Sequence, residues 1–220
     1  MKKIISVIIL TAVLMLCLVS CKEEHIAPAL KDINFSTTSS IENIKISDSK
    51  TDYVLIDVKD FGKILIRLFP DVAPETVENF KKLVSESFYD GIIFHRVIEG
   101  FMIQGGDPDG NGYGGSKNTI KGEFTSNDFE NNLLHLRGVV SMARSDDPDS
   151  ASSQFFIMHK TTSSLDEKYA AFGYVVYGMD VVDAIANVEV TGSSSSPKPV
   201  KDVVMTSVRF ADVSNLTFEK

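Results

Sequence analysis

Alternating apolar and polar positions dominate the chain from residue 51 onward and predict short β-strands. Tyr53–Val58 is rich in β-branched and apolar residues, and apolar side chains occupy every second position over residues 63–68. The turn-forming residues 59–62 separate these two runs, so we predict a β-hairpin. Six further runs predict strands at residues 92–98, 101–104, 139–142, 154–158, 173–176 and 203–210.

Only two segments have the periodicity of a helix. Pro74 suits a first helical turn, and Val77, Phe80 and Val84 follow at the spacing of one apolar helix face. A second, shorter helix is predicted over residues 180–187. Many short strands, polar or glycine-rich connections and two helices together favour a closed or sandwiched antiparallel sheet.

The N-terminal segment has a different pattern. Lys2 and Lys3 precede an apolar to neutral run that ends at Ser20, which is typical of an export signal. Ser20 followed by Cys21 resembles the lipobox of bacterial lipoproteins, so Cys21 is the predicted lipidation site and new N-terminus. A retained membrane anchor is the alternative, although about 17 residues is short for a span.

These patterns divide the chain into four parts. Residues 1–20 form the predicted lipoprotein signal peptide, and residues 21–50 a lipidated N-terminus and flexible tether. Residues 51–212 form the predicted globular domain, and residues 213–220 a C-terminal tail. The predicted location is extracytoplasmic, with a lipid anchor in a bacterial membrane, at the cell surface or in the periplasm.

The amino-acid composition excludes several classes of protein. The 220 residues are 43% hydrophobic, which excludes a polytopic membrane protein and a fully disordered chain. There are 22 basic and 30 acidic residues, the net charge is −8, and no basic stripe occurs, so no nucleic-acid partner is predicted. Two cysteines are too few for a disulfide framework.

Several motifs match known sites only formally. Residues 110–115 satisfy G-x-G-x-x-G, but no helix is predicted to follow, as a dinucleotide site requires. Asp107, Asp109 and Asn111 begin like a calcium loop, yet Asn118 stands where a bidentate glutamate is needed. The segment is therefore interpreted as a surface loop, and neither a cofactor nor a metal is predicted.

The histidines and Ser141 also fit ordinary structural roles. His95, His135 and His159 lack the spacing of metal ligands and are interpreted as core or surface residues. Ser141 lies in no nucleophile-elbow motif, and hydrolase chemistry is therefore rejected.

Residues 94–107 combine charge, amides and apolar groups. On extended chain Arg96 shares a face with Phe94 and Ile98, and Gln104 shares a face with Met102. Gln154 and Phe156 repeat the mixture, while Phe155 and Ile157 supply the opposite, buried face. A shallow binding groove on an outward sheet face is one interpretation. A half-buried wall with an extended arginine is the other.

Residues 94–107 also resemble a known signature. They match F-H-R-[VI]-I-x-G-F-M-x-Q-G-G-D, the signature of the cyclophilin-type peptidyl-prolyl isomerases, at every fixed position. The resemblance covers about residues 52–211 and continues through Gly114-Gly115, Ser141-Met142-Ala143, Ser153-Gln154-Phe155-Phe156-Ile157, Leu165-Asp166 and Phe172-Gly173. It implies a mainly β fold, a closed eight-stranded antiparallel β-barrel capped by two α-helices.

The same resemblance implies residue roles. Arg96 would be catalytic, and Gln104 would orient it and the substrate carbonyl. The residues implied to bind substrate are Phe101, Met102, Ala143, Arg144, Gln154, Phe156, Leu165 and Tyr169. Arg144 stands where the family usually has asparagine, a position with a largely main-chain role, and Tyr169 replaces the usual pocket histidine.

The leading hypothesis is therefore a peptidyl-prolyl cis-trans isomerase that accelerates rotation of X-Pro bonds in exported proteins. It would need no covalent intermediate or cofactor, would act as a monomer on proline-containing or unfolded segments, and would contact the membrane through its N-terminal lipid. The alternative is a non-catalytic surface lipoprotein that uses the same fold to bind proline-containing peptides.

Overall fold

The computed structural model describes residues 44–216. A large antiparallel sheet, a separate two-stranded hairpin and two α-helices make up its regular structure. The strands are β1 (Lys45–Ile46), β2 (Tyr53–Val58), β3 (Gly62–Leu68), β4 (Arg96–Ile98), β5 (Met102–Gly105), β6 (Val139–Met142), β7 (Phe155–Met158), β8 (Ala171–Tyr177), β9 (Val190–Ser193), β10 (Ser196–Pro199) and β11 (Met205–Asp212). The helices are α1 (Pro74–Ser85) and α2 (Met179–Ala186).

The predicted first hairpin is confirmed. Strands β2 and β3 pair in antiparallel register from Tyr53 opposite Arg67 to Val58 opposite Gly62. The turn between them contains Asp60 in the left-handed region, with φ of 67°, a conformation that aspartate tolerates better than most residues.

The nine strands of the large sheet follow the order β1-β11-β2-β3-β8-β6-β7-β5-β4. The predicted mainly β architecture with two helices is confirmed, but within residues 44–216 no regular strand pairing joins β4 to β11 and closes the predicted eight-stranded barrel. The chain just before β4 is joined to the chain at the start of β11 by one isolated bridge, Ile93 with Val204, and by three backbone hydrogen bonds. The predicted strand at residues 92–98 is regular only over Arg96–Ile98, and a turn that contains Gly91, with φ of 81°, precedes this segment.

Side-chain alternation places apolar groups on both faces of the sheet. The inner cluster packs one face against the helices and includes Phe155, Ile157 and Phe80. The outer cluster lies on the opposite face and includes Phe156 and Met158. The predicted buried position of Phe155 and Ile157 is therefore confirmed, and the outward face also carries a substantial apolar surface.

Three segments extend the fold beyond its predicted parts. β1 lies inside the predicted tether and pairs with β11, so the sheet begins before residue 51. Val213 and Leu216, from the predicted tail, pack against the outer cluster. The hairpin of β9 and β10 is absent from the prediction, because its serine-rich sequence lacks apolar alternation.

The predictions for residues 1–20 and for Cys21 lie outside the described residues. Within residues 44–216, no helix has both the length and the apolar character required to cross a bilayer.

Helix α1 obtains its N-terminal acceptor from a distant residue. Ala73 at the N-cap position has no side-chain oxygen, and Pro74 begins the helix. The buried Glu123 carboxylate instead accepts hydrogen bonds from the backbone N–H groups of Glu75 (3.0 Å) and Thr76 (2.8 Å). A carboxylate at this position satisfies free amides and interacts favourably with the helix dipole.

We therefore expect Glu123→Ala to lower the free energy of unfolding by about 0.5–2 kcal/mol, the usual range for loss of a helix cap. Urea unfolding followed by circular dichroism measures this change. Glu99→Ala removes an exposed glutamate and serves as the control. Equal stability of the two variants would contradict the capping role of Glu123.

Candidate active site

Four side chains that are far apart in sequence form one row across the sheet. Arg96 on β4 lies opposite Gln104 on β5, and Gln104 lies opposite Phe156 on β7. Phe156 in turn lies opposite Ser141 on β6. Directly opposed residues in a ladder point to the same face, so the row places a cation, an amide, an aromatic ring and a hydroxyl side by side.

A chain of hydrogen bonds connects this row to the glycine-rich loop. Arg96 Nη1 donates to Gln104 Oε1 at 2.9 Å, and Gln104 Nε2 donates to Gln154 Oε1 at 2.9 Å. Gln154 Nε2 then donates to the carbonyl oxygens of Gly112 (3.1 Å) and Gly114 (2.8 Å). Both amides therefore have a defined orientation, and the oxygen of Gln104 faces the arginine.

Arg96 is half-buried and has a second acceptor, because its Nε donates to the carbonyl oxygen of Ser195 at 3.0 Å. No carboxylate among residues 44–216 forms an ion pair with it, and Nη2 has no hydrogen-bond partner there. Burial lowers the pKa of the Arg96 guanidinium, and interaction with Tyr169 opposes this shift. An arginine remains charged at neutral pH, so the site contains an uncompensated cation.

A cavity of about 340 Å³ lies beside Arg96. The predicted site residues that line it are Arg96, Phe101, Met102, Gln104, Ala143, Arg144, Phe156, Leu165 and Tyr169. Gln154 is the exception, because it lines a neighbouring depression together with Gln104, Ala143 and Arg144. The cavity also includes His95, Asn111, Gly112, Tyr113 and Ser196, which the sequence prediction did not include.

The apolar wall of this cavity belongs to the outer cluster. Met102 and Phe156 are 1% and 5% exposed, which leaves little freedom for either side chain to move. Phe156 packs edge to face with Tyr169, with ring centroids 5.8 Å apart. Leu165 completes the wall from a short 3₁₀ turn, Ser163–Leu165. The wall is therefore a preformed surface suited to a small apolar ring.

Ser141, His135 and Asp166 lie in the order of a catalytic triad. Asp166 Oδ1 is 3.0 Å from His135 Nδ1, and His135 Nε2 is 3.0 Å from Ser141 Oγ. Because a carboxylate accepts, Nδ1 carries the proton and Ser141 donates to Nε2. Ser141 is fully buried, so no substrate reaches its hydroxyl, which agrees with the rejection of hydrolase chemistry.

The same three residues support the pocket. The His135 ring stacks on Phe156, with centroids 6.0 Å apart and an interplanar angle of 18°. Asp166 also accepts a hydrogen bond from the backbone N–H of His135 at 2.7 Å and directly follows Leu165 in the chain. Sequence spacing contains no signal for this arrangement, since residues 135, 141 and 166 meet only through strand pairing and a long connection.

Arg144 has a larger side-chain role than the predicted main-chain contact. Its guanidinium lies between two rings, 4.7 Å from the centroid of Tyr169 and 5.0 Å from that of Phe124. Nη2 donates to the carbonyl oxygen of Lys168 at 2.9 Å. Arg144 thus ties the segment that contains Tyr169 to the opposite rim of the cavity, an interaction that depends on both departures from the family pattern.

The buried Asp107 carboxylate organises the glycine-rich loop. It accepts hydrogen bonds from the backbone N–H groups of Asp109, Asn111 and Gly112. Burial of the carboxylate opposes ionisation, but these three hydrogen bonds and His95 together lower the pKa of Asp107. Within the described part of the chain, no cluster of three or more potential ligands could hold a metal ion.

Comparison with known sequences decides the family. Residues 53–210 match the profile described as "Cyclophilin type peptidyl-prolyl cis-trans isomerase/CLD". The chain is a cyclophilin.

Curated relatives of this cyclophilin have the same named activity. It is 43% identical over 141 residues to peptidyl-prolyl cis-trans isomerase B of Bacillus subtilis, which covers 64% of this chain and 94% of the relative. It is also 43% identical over 141 residues to peptidyl-prolyl cis-trans isomerase ppi1 of Schizosaccharomyces pombe, covering 64% and 89% of the two chains.

Solved structures agree with this assignment. A cyclophilin-type isomerase from Cryptosporidium parvum, crystallised in the presence of the dipeptide Ala-Pro, aligns with a TM-score of 0.65 and 30% identity. The alignment covers 73% of this chain and 99% of that one. The cyclophilin is therefore a peptidyl-prolyl cis-trans isomerase, and the non-catalytic alternative is not favoured.

His95 makes the stability of this cyclophilin dependent on pH. The ring is 5% exposed, and neither nitrogen has a hydrogen-bond partner among residues 44–216. Burial lowers the pKa of His95, Asp107 opposes this shift, and Arg96 and Lys198 add to it. The unfolded chain therefore binds a proton more readily, near the ordinary pKa of about 6.5.

We expect the contribution of His95 to stability to be complete above about pH 6.5 and to decline as the pH falls below it. His95→Leu removes the titrating group, so the stability of this variant should decrease less between pH 7.5 and pH 5. Urea midpoints of both proteins at the two pH values measure the difference. Equal decreases would show that burial of His95 has no effect on the pH dependence.

Proposed function

We propose that Arg96 accelerates X-Pro rotation by donating a hydrogen bond to the prolyl nitrogen as the amide twists. The observation that carries this proposal is a guanidinium that is held by two acceptors, has no ion-pair partner among residues 44–216, and lies beside a cavity with one apolar wall. Rotation about an X-Pro bond faces a barrier of about 18–20 kcal/mol because the twisted state loses amide resonance. In that state the nitrogen is pyramidal and basic.

A donor directed at this nitrogen binds the twisted state more strongly than the planar one. Catalysis follows from this difference, since only interactions that strengthen in the transition state lower the barrier. The Nη2 group of Arg96 has no partner among the described residues and is available to donate. Half-burial increases the effect, because the interaction takes place at a reduced effective dielectric constant.

The apolar wall would hold the proline ring while the preceding carbonyl rotates. Met102, Phe156 and Leu165 form a surface without a nucleophile, which suits a reaction that breaks no bond. The preceding carbonyl can rotate relative to the proline only if the ring does not rotate with it, and a tightly packed wall would keep the ring in place.

The remaining predicted residues divide into two groups. Ala143, Arg144 and Tyr169 line the cavity and would contact the peptide beside the proline. Gln154 donates to Gly112 and Gly114 and accepts from Gln104, so its side chain is already engaged by the protein. We therefore propose that Gln154 supports the loop and Gln104, and its contact with the peptide stays a prediction, since its side chain lines the neighbouring depression.

Arg96→Ala should lower kcat/KM for a short X-Pro peptide by roughly 100- to 1000-fold, since one preorganised donor is lost. Exchange spectroscopy by NMR measures catalysed cis-trans interconversion, and circular dichroism checks the fold. Arg67→Ala, which removes an arginine on β3 that does not line the cavity, is the matched control. A folded Arg96→Ala protein with full activity would exclude Arg96 from the mechanism.

We further propose that the enzyme is exported and lipid-anchored, and acts as a monomer on proline-containing segments of other exported proteins. The support is the sequence: two lysines, an apolar run, and Ser20 before Cys21. Residues 22–44 would connect the lipid to β1 and keep the active site close to the membrane surface.

A fatty-acid analogue supplied to an expressing bacterium should label the wild-type protein but not Cys21→Ser. Cys17→Ser, which removes the other cysteine within the proposed signal peptide, should retain the label. In-gel detection after metabolic labelling distinguishes the three proteins. Label that persists in Cys21→Ser would refute the proposed attachment site.

A further inference from the structure

The hairpin of β9 and β10 borders the active site, although it belongs to a separate two-stranded sheet. β10 packs against β4, the short strand that carries Arg96. Along β10, Pro197 and Pro199 are buried, and the alternate residues Ser196 and Lys198 are exposed. This alternation anchors one face of the hairpin on the protein and leaves the turn, Ser194 and Ser195, beside the arginine.

The turn provides one of the two acceptors for Arg96. Gln104 accepts from Nη1 within the large sheet, whereas the acceptor for Nε is the backbone carbonyl of Ser195. The two bonds hold different edges of the guanidinium and come from separate sheets. The direction of the free Nη2 group therefore depends on where the turn places this carbonyl.

The turn geometry depends on Ser193. Two-residue hairpin turns favour types I′ and II′, which need a positive φ, but neither Ser194 nor Ser195 has one. The Ser193 hydroxyl instead accepts from the backbone N–H of Ser196 at 3.2 Å and lies 3.1 Å from Ser195 Oγ. This hydroxyl thus links both ends of the turn.

We propose that Ser193 is a positioning residue for Arg96, which acts by fixing the Ser195 carbonyl that accepts from Nε. The proposal rests on the catalytic role of Arg96 proposed above. An arginine side chain has many rotamers, and each fixed acceptor reduces the set that it samples. Loss of one acceptor should misdirect the donor while the apolar wall, which binds the proline ring, stays intact.

The test measures kcat and KM separately for an X-Pro peptide, with NMR exchange spectroscopy and the whole protein. Ser193→Ala should lower kcat roughly three- to tenfold and leave KM within about twofold, in the range expected for one hydrogen bond. Ser193→Thr keeps the hydroxyl and should restore most of kcat. Ser194→Ala is the matched control, because no hydrogen bond of the Ser194 side chain occurs in the described residues.

A second variant changes the turn without weakening the hairpin. Ser194→Asn combined with Ser195→Gly favours a type I′ turn and reorients the carbonyl of residue 195. We expect equal or higher thermal stability together with a lower kcat, a combination that a purely structural role of the turn would not produce. The Nε–Hε resonance of Arg96 should shift in this variant and in Ser193→Ala, but not in Ser194→Ala.

Arg96→Ala, measured in parallel, separates the two proposals. One outcome would overturn only the role of Ser193. In it the wild type is active, Arg96→Ala has low activity, and kcat is unchanged in both Ser193→Ala and the double variant. Full activity of folded Arg96→Ala would overturn the proposed mechanism of Arg96. If Ser193→Ala fails to fold, an unchanged kcat in the stable double variant overturns the inference.

Discussion

The site depends on the register between β4, β5, β7 and β6. This register places Arg96, Gln104, Phe156 and Ser141 in one row on one face of the sheet. A shift of one residue in any pair would turn the corresponding side chain to the inner face, because the side-chain period of a strand is two residues. The alignment of donor, amide and aromatic wall is therefore a consequence of backbone pairing.

The register is secured by burial on both sides of these strands. Phe155 and Ile157 pack into the inner cluster, and Phe156 and Met158 into the outer cluster. A shifted strand would place apolar and polar groups on the wrong faces at once, which is costly wherever one face is buried. The packing that stabilises the domain thus also fixes the geometry of the candidate active site.

Polar interactions complete this surface from outside the row. Gln154 connects Gln104 to the glycine-rich loop, and the buried His135 with Asp166 supports Phe156 from behind. The Ser195 carbonyl holds the outer edge of Arg96. Among residues 44–216 these contacts leave one guanidinium nitrogen without a partner beside an apolar wall, which suits the proposed transition state with its need for a hydrogen-bond donor.

The sequence by itself determined most strands, both helices, the family and nine of the residues that line the pocket, because alternation, helical periodicity and an unbroken signature are local properties of the chain. Only the tertiary structure decided how these parts meet. The Ile93–Val204 bridge, the Glu123 cap, the His135–Asp166 pair and the Ser195 contact join residues 31 to 111 positions apart. Such contacts leave no periodic pattern in the sequence, since they follow from strand order and from the paths of loops. The serine-rich hairpin lacks apolar alternation and becomes recognisable only when it packs against β4.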